Sequence, residues 1–290
     1  MHPLPPRRSF SVFVPPSALD GGPPAPVLIF LSGLTCTDAN ATEKGGAQRA
    51  AAAARVALAF PDTSPRGPGV PDDPAGGWDF GLGAGFYVDA AVPPFDSHYR
   101  MEAYVTADLP AALASVPGLD ATRLALAGHS MGGHGALTLA LKHPSLFRSA
   151  SALAPICAPA RCPWGVKALT GYLGRDVAAA DGSGRAWDRA DATRLAAAYA
   201  GPPRHLLVDV GTADEFLEEQ LLPGALEDAV RGRGGWVGAE SDGAPPAGAA
   251  APLSLTLTRR PGYDHSYFFI STFIDAHVRH AAQALLKEAE

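Results

Sequence analysis

Short apolar runs alternate with longer stretches of helical periodicity along this chain. The first run alternates apolar and polar residues, as an edge strand does, and the later runs are almost unbroken, as in strands buried on both faces. The predicted strands span residues 9–15, 26–33, 55–62, 123–128, 149–155, 204–211 and 253–260. Helical patterns lie between them near residues 41–54, 98–115, 131–142, 215–231 and 266–288. Strands that alternate with helices predict an α/β fold, with a mostly parallel central sheet and helices on both faces.

Two segments interrupt this alternation. Residues 62–97 are rich in proline, glycine and aromatic residues, and loops this long inside a compact domain tend to be functional. Residues 232–252 have low complexity, and we expect them to form a mobile insertion. Because the insertion joins a helix to the start of a strand, it should emerge at the amino ends of the strands. Ligands in open α/β sheets bind at the opposite edge, so the insertion should be neutral for catalysis.

Composition and charge narrow the class of protein. Hydrophobic residues make up 47% of the 290 positions and charged residues 18%, as in a globular protein, and no repeat or linker divides the chain. We therefore expect residues 1–290 to form one domain. A net charge of −6 without a long Lys/Arg run argues against a nucleic-acid partner. Neither a membrane-spanning apolar window nor the apolar core of a secretory signal is present, so we expect no membrane association and no export.

The chain has three cysteines, Cys36, Cys157 and Cys162. An odd number in a chain of this length favours free thiols in a reducing compartment. Cys157 and Cys162 have no matching His or Cys pair nearby, which disfavours a zinc site, and we expect no metal.

Ser130 is the candidate nucleophile. It lies in "GHSMGG", after the strand pattern "RLALA" and before the helical pattern "HGALTLALK". A nucleophile elbow requires this strand–turn–helix order, because the serine backbone is strained and the flanking positions admit only glycine. The alternative is a glycine-rich turn that holds an incidental serine. The placement between strand and helix favours the nucleophile.

A serine nucleophile needs a base, and His265 is the candidate. It lies in "YDHSYFF", after the last predicted strand and before the last helix, where the α/β-hydrolase order of serine, acid and histidine requires it. His129 and His134 flank the elbow and are interpreted as structural, with His129 pointing away from the serine and His134 inside the following helix. The other histidines lack a matching acid; they are His98, His143, His205, His277 and His280.

Asp214 is the candidate acid, because it follows the strand pattern "HLLVDV" at its carboxyl end. Two alternatives stay open at this point. Asp214 precedes a Glu-rich helix and is also a good N-cap, and Asp209 is a rival acid, although a position within the strand is less suitable than one beyond it.

The backbone N–H groups of Met131 and Leu34 are the candidate donors of an oxyanion hole. Met131 follows the nucleophile, and Leu34 lies in the turn after an early strand, where Gly33 permits a close approach.

With these residues in place, the chain resembles the S-formylglutathione hydrolase family, also called esterase D. The resemblance rests on "LSGLTCTDAN", "PDTSPRG", "WDFGLGAGFYVDA", "GHSMGGHGAL", "APICAPARCPWG" and "YDHSYFFISTFIDAHVRHAA", among other stretches, which run in order from about residue 26 to 281. Several of these stretches lie away from the candidate catalytic residues, so together they are far more specific than a G-x-S-x-G pattern.

The resemblance implies an α/β-hydrolase fold without a separate lid domain and without a metal or organic cofactor. It implies Ser130, Asp214 and His265 as a triad, with Leu34 and Met131 as oxyanion donors. It also implies hydrolysis of S-formylglutathione in the cytosol, in formaldehyde detoxification, often by a homodimer. Cys36 matches a family cysteine that makes the enzyme sensitive to thiol reagents without being the nucleophile; a buried small residue is the alternative.

A formyl group is small, so the acyl pocket should be walled. Aromatic residues of 78–87 and 164–172 are candidates for this wall, although core packing is an equal alternative for each; they are Trp78, Phe80, Phe86, Tyr87, Trp164 and Tyr172. Lys167 and Arg66 are the cations considered for the carboxylates of glutathione.

Two rival functions and two departures from the family remain. A broad carboxylesterase or thioesterase would use the same triad, and a catalytically inactive fold would serve binding or scaffolding. The N-terminus is shorter than is usual in the family, which puts the first antiparallel strands in doubt, and residues 232–252 are an addition to the typical pattern.

Overall fold

The computed structural model describes residues 8–178, 184–242 and 251–287. The strands are β1 (Phe10–Phe13), β2 (Ala25–Leu31), β3 (Ala57–Pro61), β4 (Leu119–His129), β5 (Phe147–Leu153), β6 (Arg204–Gly211), β7 (Val237–Gly238) and β8 (Leu253–Arg260). The helices are α1 (Pro16–Leu19), α2 (Asp38–Lys44), α3 (Gln48–Ala54), α4 (Met101–Ala103), α5 (Leu109–Leu113), α6 (Met131–Lys142), α7 (Pro163–Leu173), α8 (Ala192–Ala198), α9 (Pro223–Gly232) and α10 (Tyr267–Leu285). Wider π-helical turns occupy Tyr104–Asp108 and Leu217–Leu221.

All of these strands join one sheet, in the order β1-β3-β2-β4-β5-β6-β8-β7. Only β1 is antiparallel to its neighbour among the described strands, and it lies at the edge, as its alternating pattern predicted. Helices α3 and α10 cover one face of the sheet, and α6 and α8 cover the other. This confirms the mostly parallel sheet with helices on both faces.

The apolar runs form the core, as a sheet covered on both faces requires. Every residue of β2 is buried, and so is every residue of α6 except the last, because α6 is enclosed between the sheet and other elements. The ring centroids of Phe30 and Phe60, on β2 and β3, lie 6.0 Å apart.

Residues 232–252 differ in part from the expected mobile insertion. Strand β7 lies inside this segment and pairs in parallel with β8, where Val237 is opposite Leu255. The chain then continues toward the carboxyl end of β8, and the carboxylate of Glu240 lies 2.8 Å from Arg260. The segment emerges beside the amino end of β8, as expected, because the Leu255 N–H donates to the Trp236 carbonyl at 2.9 Å, but it then extends to the carboxyl edge of the sheet. Residues 243–250 lie outside the described residues.

No described helix is long and apolar enough to cross a membrane.

Candidate active site

Ser130 occupies the sharp turn between β4 and α6. Its backbone has φ 57° and ψ −120°, a conformation that is strained for a residue with a side chain, and the residue is only 3% exposed. A Cβ atom on Gly128 would overlap the Gly132 carbonyl, and one on Gly132 would overlap the Leu31 carbonyl. The strand, turn and helix therefore approach so closely that only glycine fits on either side of the serine.

Asp214 and His265 form a hydrogen bond at the carboxyl edge of the sheet. The distance between His265 Nδ1 and Asp214 Oδ2 is 2.6 Å, and the Asp214 side chain is fully buried. The loops that carry the two residues are joined by a bond from the Ala213 N–H to the Tyr263 carbonyl, at 2.9 Å. Residues that are 51 positions apart in the chain are thus held side by side.

Both interpretations of Asp214 apply, because its two oxygens have different partners. Oδ1 accepts a hydrogen bond from the Phe216 N–H at 2.9 Å, as a cap residue does, and Oδ2 faces the imidazole. The rival Asp209 has other partners. Its Oδ1 atom lies 2.6 Å from Arg260 Nε, and its Oδ2 atom lies 2.9 Å from His277 Nε2.

Ser130 and His265 line one cavity of about 230 Å³. The other residues of its wall are Gly33, Leu34, Cys36, Trp78, His129, Trp164, Phe216 and Tyr267. No hydrogen bond joins the Ser130 hydroxyl to His265 among the described residues. Such bonds are often long in an enzyme without substrate and shorten when the complex forms.

The two candidate oxyanion donors flank the serine. Met131 is the first residue of α6, so its N–H has no acceptor within the helix. Leu34 lines the cavity, and a Cβ atom on the preceding Gly33 would lie 3.0 Å from the Ser130 Cβ. This loop therefore passes directly against the nucleophile.

His129 was expected to point away from the serine, and that expectation is wrong. Its ring lines the cavity, and its centroid lies 4.4 Å from that of His265. Burial, followed by the charge of His265, holds the pKa of His129 well below its usual value, so the ring stays neutral. His134 is a buried helix residue, as expected. Its Nε2 atom lies 3.1 Å from the Phe86 carbonyl, and burial lowers its pKa to about 4.

The aromatic wall differs from the predicted one. Of the six candidates, only Trp78 and Trp164 line the cavity, and their rings meet edge to face at 5.4 Å. The other four pack in the core; they are Phe80, Phe86, Tyr87 and Tyr172. Their burial arises from packing between distant segments, which a local pattern does not report.

Phe216 and Tyr267 complete the wall and were missed. The Phe216 ring meets Trp164 at 4.8 Å and His265 edge to face at 5.1 Å. Tyr267 begins α10, and its hydroxyl lies 3.8 Å from Cys36 Sγ. Each lies two residues after a candidate member of the triad, and this proximity was the signal that could have found them.

The three cysteines are free thiols. Cys36 is half-buried in the wall of the cavity, and burial raises its pKa. Cys157 is buried, and the buried Cys162 caps α7 by accepting a hydrogen bond from the Gly165 N–H at 3.4 Å.

The two cations considered for glutathione are held by carboxylates. Lys167 Nζ lies 2.8 Å from Asp73 and also contacts Asp79. Arg66 Nε lies 2.8 Å from Asp62. Neither cation is part of the cavity wall described above.

Comparisons with known proteins agree with this geometry. The family model described as "Putative esterase" matches residues 2–234, so the fold and the site define an esterase of the α/β-hydrolase fold, as predicted. The chain is 42% identical over 280 residues to S-formylglutathione hydrolase from Rattus norvegicus. This alignment covers 96% of this chain and 89% of that protein. It is 45% identical over 278 residues to the Arabidopsis thaliana protein of that name. This second alignment covers 96% of this chain and 88% of that protein.

A solved structure supports the same assignment. The S-formylglutathione hydrolase from Agrobacterium tumefaciens superposes with a TM-score of 0.84 at 44% identity, covering 98% of this chain and 92% of that chain. The chain belongs to the S-formylglutathione hydrolase family.

Proposed function

We propose that this enzyme hydrolyses S-formylglutathione to formate and glutathione, with Ser130, His265 and Asp214 as the catalytic triad. The observation that carries the proposal is the 2.6 Å bond between Asp214 and His265, which places the imidazole on the wall of the cavity that also holds Ser130. The relatives named above, at 42% and 45% identity, support the substrate.

The reaction begins when the Ser130 hydroxyl attacks the formyl carbonyl carbon. His265 Nε2 accepts the hydroxyl proton, and Asp214 holds Nδ1 protonated and stabilises the imidazolium. The carbon–sulfur bond then breaks, His265 returns the proton to the sulfur, and glutathione leaves as the thiol. A water molecule that is deprotonated by His265 attacks the formyl-serine ester, and its breakdown releases formate and restores Ser130.

Leu34 and Met131 stabilise the oxygen that becomes negatively charged in both steps. Met131 directly follows Ser130 at the amino end of α6, and Leu34 lines the same cavity as Ser130. Removal of one such donor typically costs about 10²–10³ in turnover.

The cavity wall suits a small acyl group beside a large leaving group. Trp164 and Phe216 pack against each other next to His265, whereas Trp78 is 56% exposed. We place the formyl group between His265 and the oxyanion donors. The glutathionyl chain then extends past Trp78, where the cavity opens.

The resemblance also supports a homodimer in the cytosol. The free thiols Cys36, Cys157 and Cys162 fit a reducing compartment. Light scattering of the purified protein should give twice the mass of one chain, and fractionation of the source cells should recover the protein in the cytosol.

The substrate is tested by comparing kcat/KM for S-formylglutathione, S-acetylglutathione and a nitrophenyl acetate. The formyl thioester should be preferred by at least about tenfold, because an added methyl group in a fitted pocket is worth about 10–200-fold. A smaller preference would indicate that the protein is a broad esterase instead.

Ser130→Ala tests the chemistry independently of the substrate. The variant should lose turnover and keep the wild-type melting temperature. Turnover that persists would remove Ser130 from the reaction, and a wild-type protein inactive on all three substrates would favour a binding role.

A further inference from the structure

A second cavity lies at the opposite edge of the sheet from Ser130. It has a volume of about 190 Å³, and its walls come from the first residues of β5 and β6 and the last turns of α10. Its polar side chains are those of Arg148, Ser149, Arg204, His205, His280, Gln283 and Lys287. The nucleophile lies at the carboxyl ends of the strands, so this cavity has no part in the proposed hydrolysis.

Arg204 lines this cavity and carries a buried charge. The residue is only 8% exposed. Its Nη2 atom donates to the carbonyls of Phe147 at 2.8 Å and Pro144 at 3.1 Å, whereas Nε and Nη1 have no partner among the described residues. A buried charge without a counter-ion is costly, so an anion bound nearby would stabilise Arg204.

Two exposed cations stand at the mouth. Arg148 Nη1 donates to the carbonyls of Leu285 and Lys287, each at 3.3 Å, which anchors the guanidinium, and the residue lines the cavity. Lys287 supplies the second charge. Within residues 8–178, 184–242 and 251–287, no acidic residue lines the cavity and none of the three cations forms an ion pair.

We propose that this cavity binds a phosphoryl group, either as inorganic phosphate or as the phosphate of a monoester. Three positive charges match a dianion, and arginine with lysine is the donor set that proteins use for phosphate. The unpartnered nitrogens of Arg204 are covered, so Arg204 contributes its charge without direct contact, and Arg148 and Lys287 make the direct contacts. A volume of about 190 Å³ is sufficient for a phosphoryl group.

Calorimetric titration of the full chain tests this proposal. Inorganic phosphate and glycerol phosphate are titrated separately at an ionic strength held constant with sodium chloride. At least one should bind saturably with one site per chain, and tighter binding of the monoester would identify a phosphorylated metabolite as the ligand. The C2 proton of His280 should shift during the same titration, because that ring lines the cavity.

The variants locate the site. The double variant Arg148→Gln, Lys287→Gln should weaken binding at least tenfold, because it removes both contacts at the mouth. Arg49→Gln is the matched control: this arginine is 89% exposed, pairs with Asp275 elsewhere on the surface, and should leave binding unchanged. Ser130→Ala should also bind phosphate as the wild type does, which keeps this result separate from the fate of the proposed hydrolysis. No saturable binding of either ligand, or equal binding by the double variant, would overturn the proposal.

Discussion

Asp209 and His277 form a second aspartate–histidine pair, beside the pair of Asp214 and His265. Both side chains of this second pair are fully buried, with 2.9 Å between Asp209 Oδ2 and His277 Nε2. Burial would raise the pKa of Asp209, but hydrogen bonds and charge from His277 and Arg260 outweigh it and lower that pKa. The Asp209 pair is closed inside the protein, whereas His265 lines a cavity.

The two aspartates should therefore respond differently to the same substitution. Asp214→Asn should lower kcat by about 10⁴ with little change in melting temperature, because the imidazole loses its tautomer and its counter-charge. Asp209→Asn should lower the free energy of unfolding by about 3 kcal/mol, because a buried carboxylate with two partners is lost, and should keep kcat per folded molecule. Kinetics and thermal unfolding of both variants check this, and a reversed pattern would make Asp209 the catalytic acid.

The elbow glycines should tolerate no side chain. Gly132→Ala should reduce both stability and soluble yield, because its Cβ would overlap the Leu31 carbonyl, and activity should fall with them. Gly224→Ala, in α9, is the matched control. A Cβ there meets nothing within 4 Å, and alanine in a helix should add up to about 1 kcal/mol of stability. Comparable melting temperatures for the two variants would contradict the close approach of Gly132 to the Leu31 carbonyl.

The free energy of unfolding should depend on pH through the side chain of Glu102. Burial would raise its pKa, but hydrogen bonds and charge from His143 and Lys142 outweigh it and lower the pKa to about 2. A carboxyl whose pKa is lower in the folded state stabilises the fold above its unfolded pKa and loses that contribution as the pH falls toward 2. Glu102→Gln should cost about 3 kcal/mol at neutral pH, because it also leaves the buried Lys142 without a carboxylate.

Urea unfolding between pH 7 and pH 3 measures this effect. The stability difference between wild type and Glu102→Gln should shrink as the pH falls, whereas the exposed Glu219→Gln should follow the wild type at every pH. If the stability difference between wild type and Glu102→Gln stays constant with pH, Glu102 does not contribute to the pH dependence of unfolding.

Cys36 should react with thiol reagents, but it should not be required for turnover. Burial raises its pKa, so at neutral pH the group is a thiol, and a maleimide should modify it slowly and then faster as the pH rises. The adduct should block the cavity and inhibit hydrolysis. Cys36→Ala should keep kcat within about tenfold and resist the reagent, because the proposed nucleophile is a serine. Loss of turnover in Cys36→Ala would contradict this role.

The acid limb of the rate profile should report His265. Only a neutral imidazole accepts the serine proton, so kcat/KM should fall as the pH is lowered and this base becomes protonated. His129 does not contribute, because burial holds its pKa well below its usual value. A rate that is flat from about pH 5 to 8 would remove His265 as the base.

Continuous apolar patterns predicted the sheet well. Strands β6 and β8 and helix α6 have the predicted bounds, because charged residues or glycine mark their ends. Helix α7 was missed, since "PWGVKALTGYL" holds two glycines and its helix depends on packing. Helix α8 was also missed, although Asp191 supplies a readable N-cap by accepting from the Thr193 and Arg194 N–H groups.

The sequence predicted which residues form the site, but it did not predict the direction of their side chains. Spacing along the chain was enough to name Ser130, Asp214 and His265 as candidates, because each follows a strand at the same edge. It did not reveal that His129 lies beside His265 in the cavity wall. Nor did it reveal that Phe86 and Tyr87 turn into the core, where residues 62–97 fold back over α6. Those contacts join residues that are distant in sequence.

Strand β7 covers part of the outer edge of β8. Its two residues are the outermost on one side of the sheet, beside the eight-residue β8. A long bare outer strand is a template on which a second chain can pair, and proteins often shield it with a very short one. The Leu255 N–H donates to the Trp236 carbonyl at 2.9 Å, so the segment already occupies a group through which aggregation would begin.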